Sequence, residues 1–210
     1  MYRRWIKRTL DVLMALAGIL ICLIPMLGIG LVTKLDSPGP VLFRQKRIGL
    51  HKRPFTIYKF RTMSTSAPHD VPTHRLKDAK ALMTKWQRFL RESSLDELPQ
   101  LFCILAGKMS VIGPRPALWN QDDLIMERDR YGANDVKPGL TGWAQINGRD
   151  ELSIPEKARL DGEYAQQLSF LFDARCFFGS IPSVLRHQGV KEGCSREPER
   201  RKASSQEQHR

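Results

Sequence analysis

The longest apolar stretch of the chain covers residues 12–33, which carry no formal charge. At about 1.5 Å per residue, a helix of this length spans about 33 Å, close to the roughly 30 Å hydrocarbon core of a bilayer. A cleaved secretory signal has a shorter apolar core that is followed by a small-residue cleavage site, and this segment has neither. The stretch therefore predicts a helix that stays in the membrane.

Basic residues flank this stretch on both sides, with four Lys or Arg in residues 1–11 and six in residues 34–53. Because cationic flanks favour the cytoplasmic side, a helix that crosses the membrane once would place one cluster on the disfavoured side. Pro25 removes a helical hydrogen bond just past the middle of the stretch. We predict a re-entrant helix that breaks at Pro25 and returns to the same face. A kinked helix that crosses the membrane once is the alternative.

After the apolar stretch, short alternating and 3.6-residue periodicities predict a small α+β domain. The expected elements are a hairpin of strands over 41–48 and 55–61, and amphipathic helices over 73–91, 99–106, 121–130, 153–168 and 173–186. The polar residues at the end of the chain favour a disordered tail. The predicted division is a membrane helix with its basic flank over 1–35, a catalytic domain over 36–189 and a tail over 190–210.

Charge is unevenly distributed along the 210 residues: the net charge is +12, and residues 1–61 carry +10 of it. A nucleic-acid-binding domain needs a basic patch on its folded part, whereas the remainder of this chain carries only about +2. The distribution favours a basic end that docks on anionic lipid and argues against nucleic acid as a partner. The four cysteines show no metal-ligand or paired spacing, which fits a reducing compartment.

The first candidate for chemistry is the acidic pair Asp96 and Glu97. Pro99 suits the first position of a helix, so both acids would lie at its positive end. That position lowers the pKa of a carboxylate and keeps Asp96 anionic, as a nucleophile or a metal ligand must be. The alternative is structural, because Ser94 and Glu97 have the spacing of a capping box, and the spacing alone favours the cap.

Basic residues supply the next candidates. Arg115 lies between two prolines, which would hold a guanidinium rigidly toward a phosphate or a base. Lys59 and Arg61 share one face of the second predicted strand, where they could hold a phosphate. A turn and a strand end that simply face water are the alternatives.

Two further candidates lie in the last third of the chain. Glycines at 139, 142 and 148 allow close backbone approach to a ligand, and Arg149 adds a positive charge, although Asn147-Gly148 is also an ordinary hairpin turn. Asp161 is an acid that could face inward from the helix over 153–168, and a solvated surface Asp is the alternative.

Taken in order, several short motifs carry a family resemblance. They are Phe43-Arg-Gln-x-Arg47-x-Gly49, Lys59-Phe-Arg-Thr-Met63, Ser94-Leu-Asp-Glu-Leu-Pro-Gln-Leu101, Gly113-Pro-Arg-Pro116, Lys137-Pro-Gly139, Thr141-Gly-Trp-Ala-Gln145, Asn147-Gly-Arg149 and Asp161-x-x-Tyr164. With the Arg/Lys-flanked apolar run, they resemble the bacterial sugar transferase family of small monotopic polyprenyl-phosphate phosphoglycosyl transferases, from about Lys7 to Ile181. One departure is Ile24 before Pro25, where the family often has Ser, a side chain that could bond a carbonyl freed at the break.

The resemblance implies transfer of a phospho-sugar from a UDP-sugar to undecaprenyl phosphate with release of UMP, the first membrane step of surface glycan or glycoprotein assembly. It implies that Asp96 is the nucleophile and forms a covalent phospho-sugar intermediate, and that Glu97, with Asp96, holds Mg²⁺. The residues implied to bind substrate are Lys59, Arg61, Arg91, Arg115, Arg149 and Asp161.

The location implied by the resemblance is the cytoplasmic face of the bacterial inner membrane, in contact with membrane lipid, and a homodimer is left open. The rival hypothesis is a non-catalytic membrane-anchored adaptor of a glycan-assembly complex, in which Asp96 and Glu97 only cap a helix.

Overall fold

The structure is a computed structural model that describes residues 1–68, 70–71, 79–148 and 151–185. A π-helical turn, Tyr2–Ile6, leads into helix α1, Lys7–Asp36, which continues through Pro25 without interruption. The prediction of a helix broken at Pro25 is therefore wrong at the level of secondary structure. Proline removes one backbone donor, and the remaining hydrogen bonds of a 30-residue helix carry it past that point. Among the described residues, α1 is the one helix long and apolar enough to cross a membrane.

Helix α1 packs one face against the rest of the molecule along almost its whole length. The buried residues on this face recur at helical spacing, and they are Lys7, Asp11, Ala15, Met26, Ile29 and Thr33. The opposite face exposes large apolar side chains, among them Leu20, Ile21, Ile24, Leu27 and Leu31. The helix therefore has an inner face that joins the domain core and an outer apolar face that the described residues leave uncovered.

Strands β1, Leu42–Ile48, and β2, Pro54–Phe60, pair in antiparallel register, which confirms the predicted hairpin.

A second sheet, which no sequence pattern predicted, pairs β3, Ser110–Ile112, with β4, Gly139–Thr141, in parallel. Three residues are too few for an alternation signal. A Cβ on Gly113, Gly139 or Gly142 would collide with the neighbouring backbone. The last two glycines, which were expected to admit a ligand, thus let two chain segments approach each other.

The remaining helices are α2, Lys85–Glu92; α3, Gln100–Leu105; α4, Asp122–Asp129; α5, Trp143–Ile146; α6, Ile154–Gln166; and α7, Phe170–Leu185. Four of them, α3, α4, α6 and α7, lie within a few residues of the predicted bounds. The start of the predicted helix over 73–91 lies outside the described residues, which omit 72–78. The prediction of one continuous helix is wrong, because a 3-10 turn, Ala79–Leu82, is followed by the extended residue Thr84, which caps α2. Thr84 competes with helix continuation because its side chain accepts from the Gln87 backbone N–H.

The main core lies where α1, α3, β2, β3, α6 and α7 meet. Its buried members include Ala15, Ile57, Leu101, Ile104, Met109, Tyr164, Phe172 and Cys176. Helix α3 runs through this core, and Arg8 of α1 donates to the carbonyl oxygens of Ile104 and Leu105 at its end. The other end of α3 carries the candidate acids, so the core fixes their position.

Candidate active site

The acidic pair lies on a single 3-10 turn, Leu95–Glu97, that leads through Leu98 and Pro99 into α3. The side chains are buried: Asp96 is 5% exposed and Glu97 is 9% exposed. Ser94 adopts the left-handed conformation, with φ +58°, and its side chain makes no capping hydrogen bond. The capping-box interpretation is therefore wrong, and the two acids are held in the interior for another reason.

Glu97 is the centre of an ion-pair cluster drawn from three separate segments. Lys59 Nζ on β2 donates to Glu97 Oε1 at 2.6 Å, and Arg115 Nη2, from the loop after β3, donates to the same oxygen at 2.7 Å. Arg115 Nη1 reaches Glu97 Oε2 at 3.3 Å. Burial alone would raise the pKa of Glu97, but Arg115 and Lys59 outweigh it and hold that pKa well below its ordinary value. Glu97 is therefore a fixed anion.

The pKa of Asp96 shifts in the opposite direction from that of Glu97. Burial, together with the charge of Glu97, raises the pKa of Asp96 to about 6, against the attraction of Lys59, Arg91 and Arg115. The expected lowering of this pKa at a helix start is thus wrong, because desolvation outweighs the helix end. Within the described part of the chain, no hydrogen bond or ion pair reaches the Asp96 carboxylate. Asp96 is mostly ionised at neutral pH, and none of these residues engages it as a structural partner.

Positive charge surrounds the two acids. Burial lowers the pKa of Lys59, and the nearby charge of Arg115 contributes to that lowering. Arg91 acts on Asp96 through its charge. The predicted substrate-binding residues Lys59, Arg91 and Arg115 therefore belong to one electrostatic environment around the acidic pair.

Arg47 on β1 also belongs to this environment. Burial lowers its pKa to about 9, the charge of Arg115 adds to that lowering, and Glu97 opposes it. Arg47 lies within the Phe43–Gly49 motif but is not among the site residues that the sequence predicts. The sequence could have indicated Arg47 through its spacing of two residues from Gln45 on the predicted strand, which places both side chains on one face.

Two arginines fix the loop that carries Arg115. Arg128 Nη2 donates to the Arg115 carbonyl oxygen and Arg47 Nη1 donates to the Pro116 carbonyl oxygen, each at 2.9 Å. Asp161 does not join the acidic pair: its Oδ2 accepts from Arg128 Nη2 at 2.6 Å and from Nε at 2.9 Å. Burial raises the pKa of Asp161 although Arg128 opposes the change. Asp161 therefore acts on the backbone of Arg115 through Arg128, a residue that was not predicted from the sequence.

Two predicted site residues stand apart from the cluster. Arg61 donates to the carbonyl oxygens of Ser37, at 2.7 Å, and of Pro38, and so ties the end of α1 to the hairpin. Lys59 and Arg61 do not share a site because β2 ends at Phe60, so the strand alternation does not extend to Arg61. Arg149 lies outside the described residues.

Magnesium is the metal that the family resemblance implies. Among the described residues, no cluster of three or more His, Cys, Asp or Glu side chains could hold a metal ion alone. Mg²⁺ is commonly bound by one or two carboxylates together with substrate phosphates and water. Among the described residues, Glu97 Oε2 accepts only the longer Arg115 hydrogen bond, and the charge of Glu97 acts on the carboxylate of Asp96, its neighbour in the chain. The acidic pair thus fits a magnesium site that the substrate completes.

The sequence is similar to a known protein family and to several of its members. The sequence pattern of the family described as bacterial sugar transferase matches residues 2–187. A Bacillus subtilis protein named uncharacterized sugar transferase EpsL is 42% identical over 161 residues, which cover 77% of this chain and 78% of that protein. The UDP-glucose:undecaprenyl-phosphate glucose-1-phosphate transferase of Escherichia coli is 41% identical over 185 residues, or 85% of this chain.

A third relative, from Aeromonas hydrophila, is named UDP-N-acetylgalactosamine-undecaprenyl-phosphate N-acetylgalactosaminephosphotransferase. It is 35% identical over 196 residues, or 89% of this chain. The matched segment covers 40% of the length of the Escherichia coli protein and 45% of the Aeromonas one. This chain therefore corresponds to about two-fifths of those two proteins and to most of the Bacillus one.

Proposed function

Because the chain belongs to the bacterial sugar transferase family, we propose that it is a phosphoglycosyl transferase that moves a phospho-sugar from a UDP-sugar to undecaprenyl phosphate. The observation that carries this proposal is Asp96, a buried carboxylate with no hydrogen-bond partner among the described residues, next to the Glu97 ion-pair cluster. A structural acid would be paired at such a position, whereas a nucleophile has to keep its oxygen available.

The proposed reaction has two steps at one phosphorus. A carboxylate oxygen of Asp96 attacks the β-phosphorus of the UDP-sugar, the bond from that phosphorus to the bridging oxygen breaks, and UMP leaves with the electron pair. A phosphate oxygen of undecaprenyl phosphate then attacks the same phosphorus and expels the Asp96 carboxylate. A covalent intermediate lets a water-soluble donor and a lipid acceptor use one site in turn.

The cationic side chains have a defined part in this scheme. Lys59 and Arg115 are held by Glu97 within the site, so their charges can offset that of the diphosphate as Asp96 approaches it. Glu97 and Asp96 would hold Mg²⁺ with the donor phosphates, and when bound the ion neutralises charge on the diphosphate. The Arg47 and Arg128 contacts keep the Arg115 loop in place before substrate arrives.

The contacts of α1 support a monotopic membrane path. Near its beginning Lys7 Nζ donates to Asp173 at 2.7 Å, and Asp11 accepts from the Val111 backbone N–H at 2.9 Å. Near its end Arg61 and Trp86 donate to Thr33. Because polar groups of one domain bind both ends, we propose that α1 enters and leaves the lipid at the same face. The basic flanks favour the cytoplasmic face of the inner membrane.

The decisive experiment measures UMP release by the detergent-solubilised protein with undecaprenyl phosphate, Mg²⁺ and a panel of UDP-sugars. UDP-glucose and UDP-N-acetylgalactosamine come first because two relatives are named for these donors. We expect release with at least one donor, loss of release with EDTA and with Asp96→Asn, and retention with Asp122→Asn, an exposed acid at the start of α4.

Intact mass measurement without the acceptor tests the covalent step. The wild-type protein is expected to gain the mass of one phospho-sugar, and Asp96→Asn to gain none. Absence of UMP release from every donor in lipid-supplemented protein would instead favour the adaptor hypothesis.

A further inference from the structure

Gln100, the first residue of α3, carries a buried hydrogen-bond donor without an acceptor. The residue is 2% exposed, and its Nε2 has no partner among the described residues. Folded proteins rarely leave a buried amide N–H unpaired, and an exception calls for an explanation such as a catalytic role or a bound water or ion. Another buried glutamine, Gln87 on α2, shows the usual situation: its Nε2 donates to Ser37 Oγ at 3.0 Å.

The backbone places this donor beside the acidic pair. The 3-10 turn Leu95–Glu97 leads through Leu98 and Pro99 into α3, and this segment contains several i→i+3 hydrogen bonds, such as Leu98 N to Leu95 O and Leu101 N to Leu98 O. Residues three apart eclipse each other in such a stretch, so Gln100 lies on the same face as Glu97. Helical side chains also lean toward the N-terminus, which directs the Gln100 amide toward the turn that holds Asp96.

The buried Gln100 amide donor therefore lies on the same side of the backbone as Glu97 of the acidic pair, and its Nε2 has no acceptor among the described residues. We propose that Gln100 Nε2–H donates a hydrogen bond to the phosphoryl group that Asp96 attacks, an inference that rests on the proposed function. The phosphoryl oxygens supply the acceptor that the free protein lacks. A neutral donor also assists the reaction without adding another cation to Lys59, Arg91 and Arg115.

A donor that stabilises charge during the reaction affects the rate of the chemical step more than the binding of the donor substrate. For Gln100→Leu we expect kcat for UMP release to fall between about tenfold and a thousandfold, while KM for the UDP-sugar stays within about threefold. The melting temperature of the free protein should stay the same or rise, because the substitution removes an unpaired buried amide. Gln100→Met, which has a similar length and no donor, is the second variant if Leu lowers the melting temperature.

The matched control is Gln87→Leu, which removes a buried glutamine of α2 that is already hydrogen-bonded. It should lower the melting temperature, because Gln87 caps α2 and binds Ser37, and keep kcat within about threefold. A wild-type protein that releases UMP together with Gln100→Leu and Gln100→Met variants that keep kcat within about twofold would overturn the Gln100 inference alone. A wild-type protein that releases no UMP with any donor would overturn the proposed function and this inference with it.

Discussion

Asp96 is both buried and mostly ionised at neutral pH, two properties that oppose each other in a folded protein. Its carboxylate is removed from water and lies next to another anion, Glu97, and both effects raise its pKa to about 6. A desolvated carboxylate attacks phosphorus without first losing a water shell, but the same desolvation destabilises the folded state whenever Asp96 is ionised. Stability and reaction rate should therefore respond to pH in opposite directions.

Asp96→Asn should make the protein more stable at pH 8 while abolishing UMP release. Because the folded-state pKa is raised above its unfolded value, the charged carboxylate penalises folding above about pH 6, and the penalty disappears below about pH 4. The expected gain in the free energy of unfolding at pH 8 is on the order of 1–3 kcal/mol, and it should shrink as the pH falls. Thermal unfolding of both proteins at pH 5 and pH 8 measures it. Equal stability of the wild-type protein and Asp96→Asn at pH 8 would show that burial does not penalise the ionised Asp96 carboxylate.

The first half-reaction should depend on pH with an acid limb near 6. Only ionised Asp96 can attack phosphorus, so UMP release from the enzyme and a UDP-sugar should fall about tenfold per pH unit below that value. Glu97 should not contribute in this range, because its pKa is held well below the ordinary value. The measurement omits undecaprenyl phosphate, whose own phosphate titrates near neutral pH. A rate that stays constant down to pH 5 would exclude this pKa for the nucleophile.

Between elements, the buried pair of Arg128 and Asp161 joins α4 and α6 to the loop that presents Arg115. Both side chains are almost fully buried, 5% and 2% exposed, and Arg128 also holds the Arg115 carbonyl. The sequence resemblance implied that Asp161 binds substrate. In the structure the Asp161 carboxylate accepts from Arg128, so we expect it to position the Arg115 loop and not to bind substrate.

Asp161→Asn should therefore destabilise the protein by about 3–5 kcal/mol, because Arg128 would remain as a buried cation with a weaker partner. Replacing the pair with Arg128→Met and Asp161→Leu should restore most of the stability and not kcat, because the Arg115 carbonyl has still lost its donor. Chemical denaturation and UMP release separate the two effects.

The control for this pair is Arg130→Gln, which removes the ion pair between the exposed Arg130 side chain and Glu127 at the end of α4. Exposed pairs contribute little, so we expect a change below about 1 kcal/mol and unchanged activity. If the Met and Leu double variant recovered full kcat together with stability, Asp161 would have only a structural role.

For the whole molecule, the proposed path of α1 makes a direct topological prediction. Thr9 and Pro40 are exposed residues on either side of the apolar stretch. Single cysteines at these positions, in a variant without the four native cysteines, should both resist a membrane-impermeant maleimide in intact spheroplasts. Both should react after lysis, because both flanks face the cytoplasm.

Labelling of one position in intact spheroplasts would contradict this path and favour a helix that crosses the membrane once. The substitution Pro25→Leu, made in the same two cysteine variants, shows whether the proline itself matters for the path. Since α1 is continuous through Pro25 and both of its ends are bound to the domain, the labelling pattern should stay unchanged.

The sequence by itself determined the features that depend on neighbouring residues. It indicated the apolar helix from the length of an uncharged run, the hairpin from alternation and turn residues, and the start of α6 from the Ser153 capping box. It also indicated Asp96, Glu97, Lys59 and Arg115 through ordered motifs, and the structure brings these four together.

Only the tertiary structure decided the features that depend on contacts between distant segments. It separated Arg61 from Lys59, directed Asp161 to Arg128 and paired β3 with β4 across 26 intervening residues. It also reversed the expected pKa shift of Asp96, because the degree of burial and the sign of nearby charges are set by how β2, α3 and the Arg115 loop pack. Local spacing fixes which residues are available, and packing fixes their solvation and their partners.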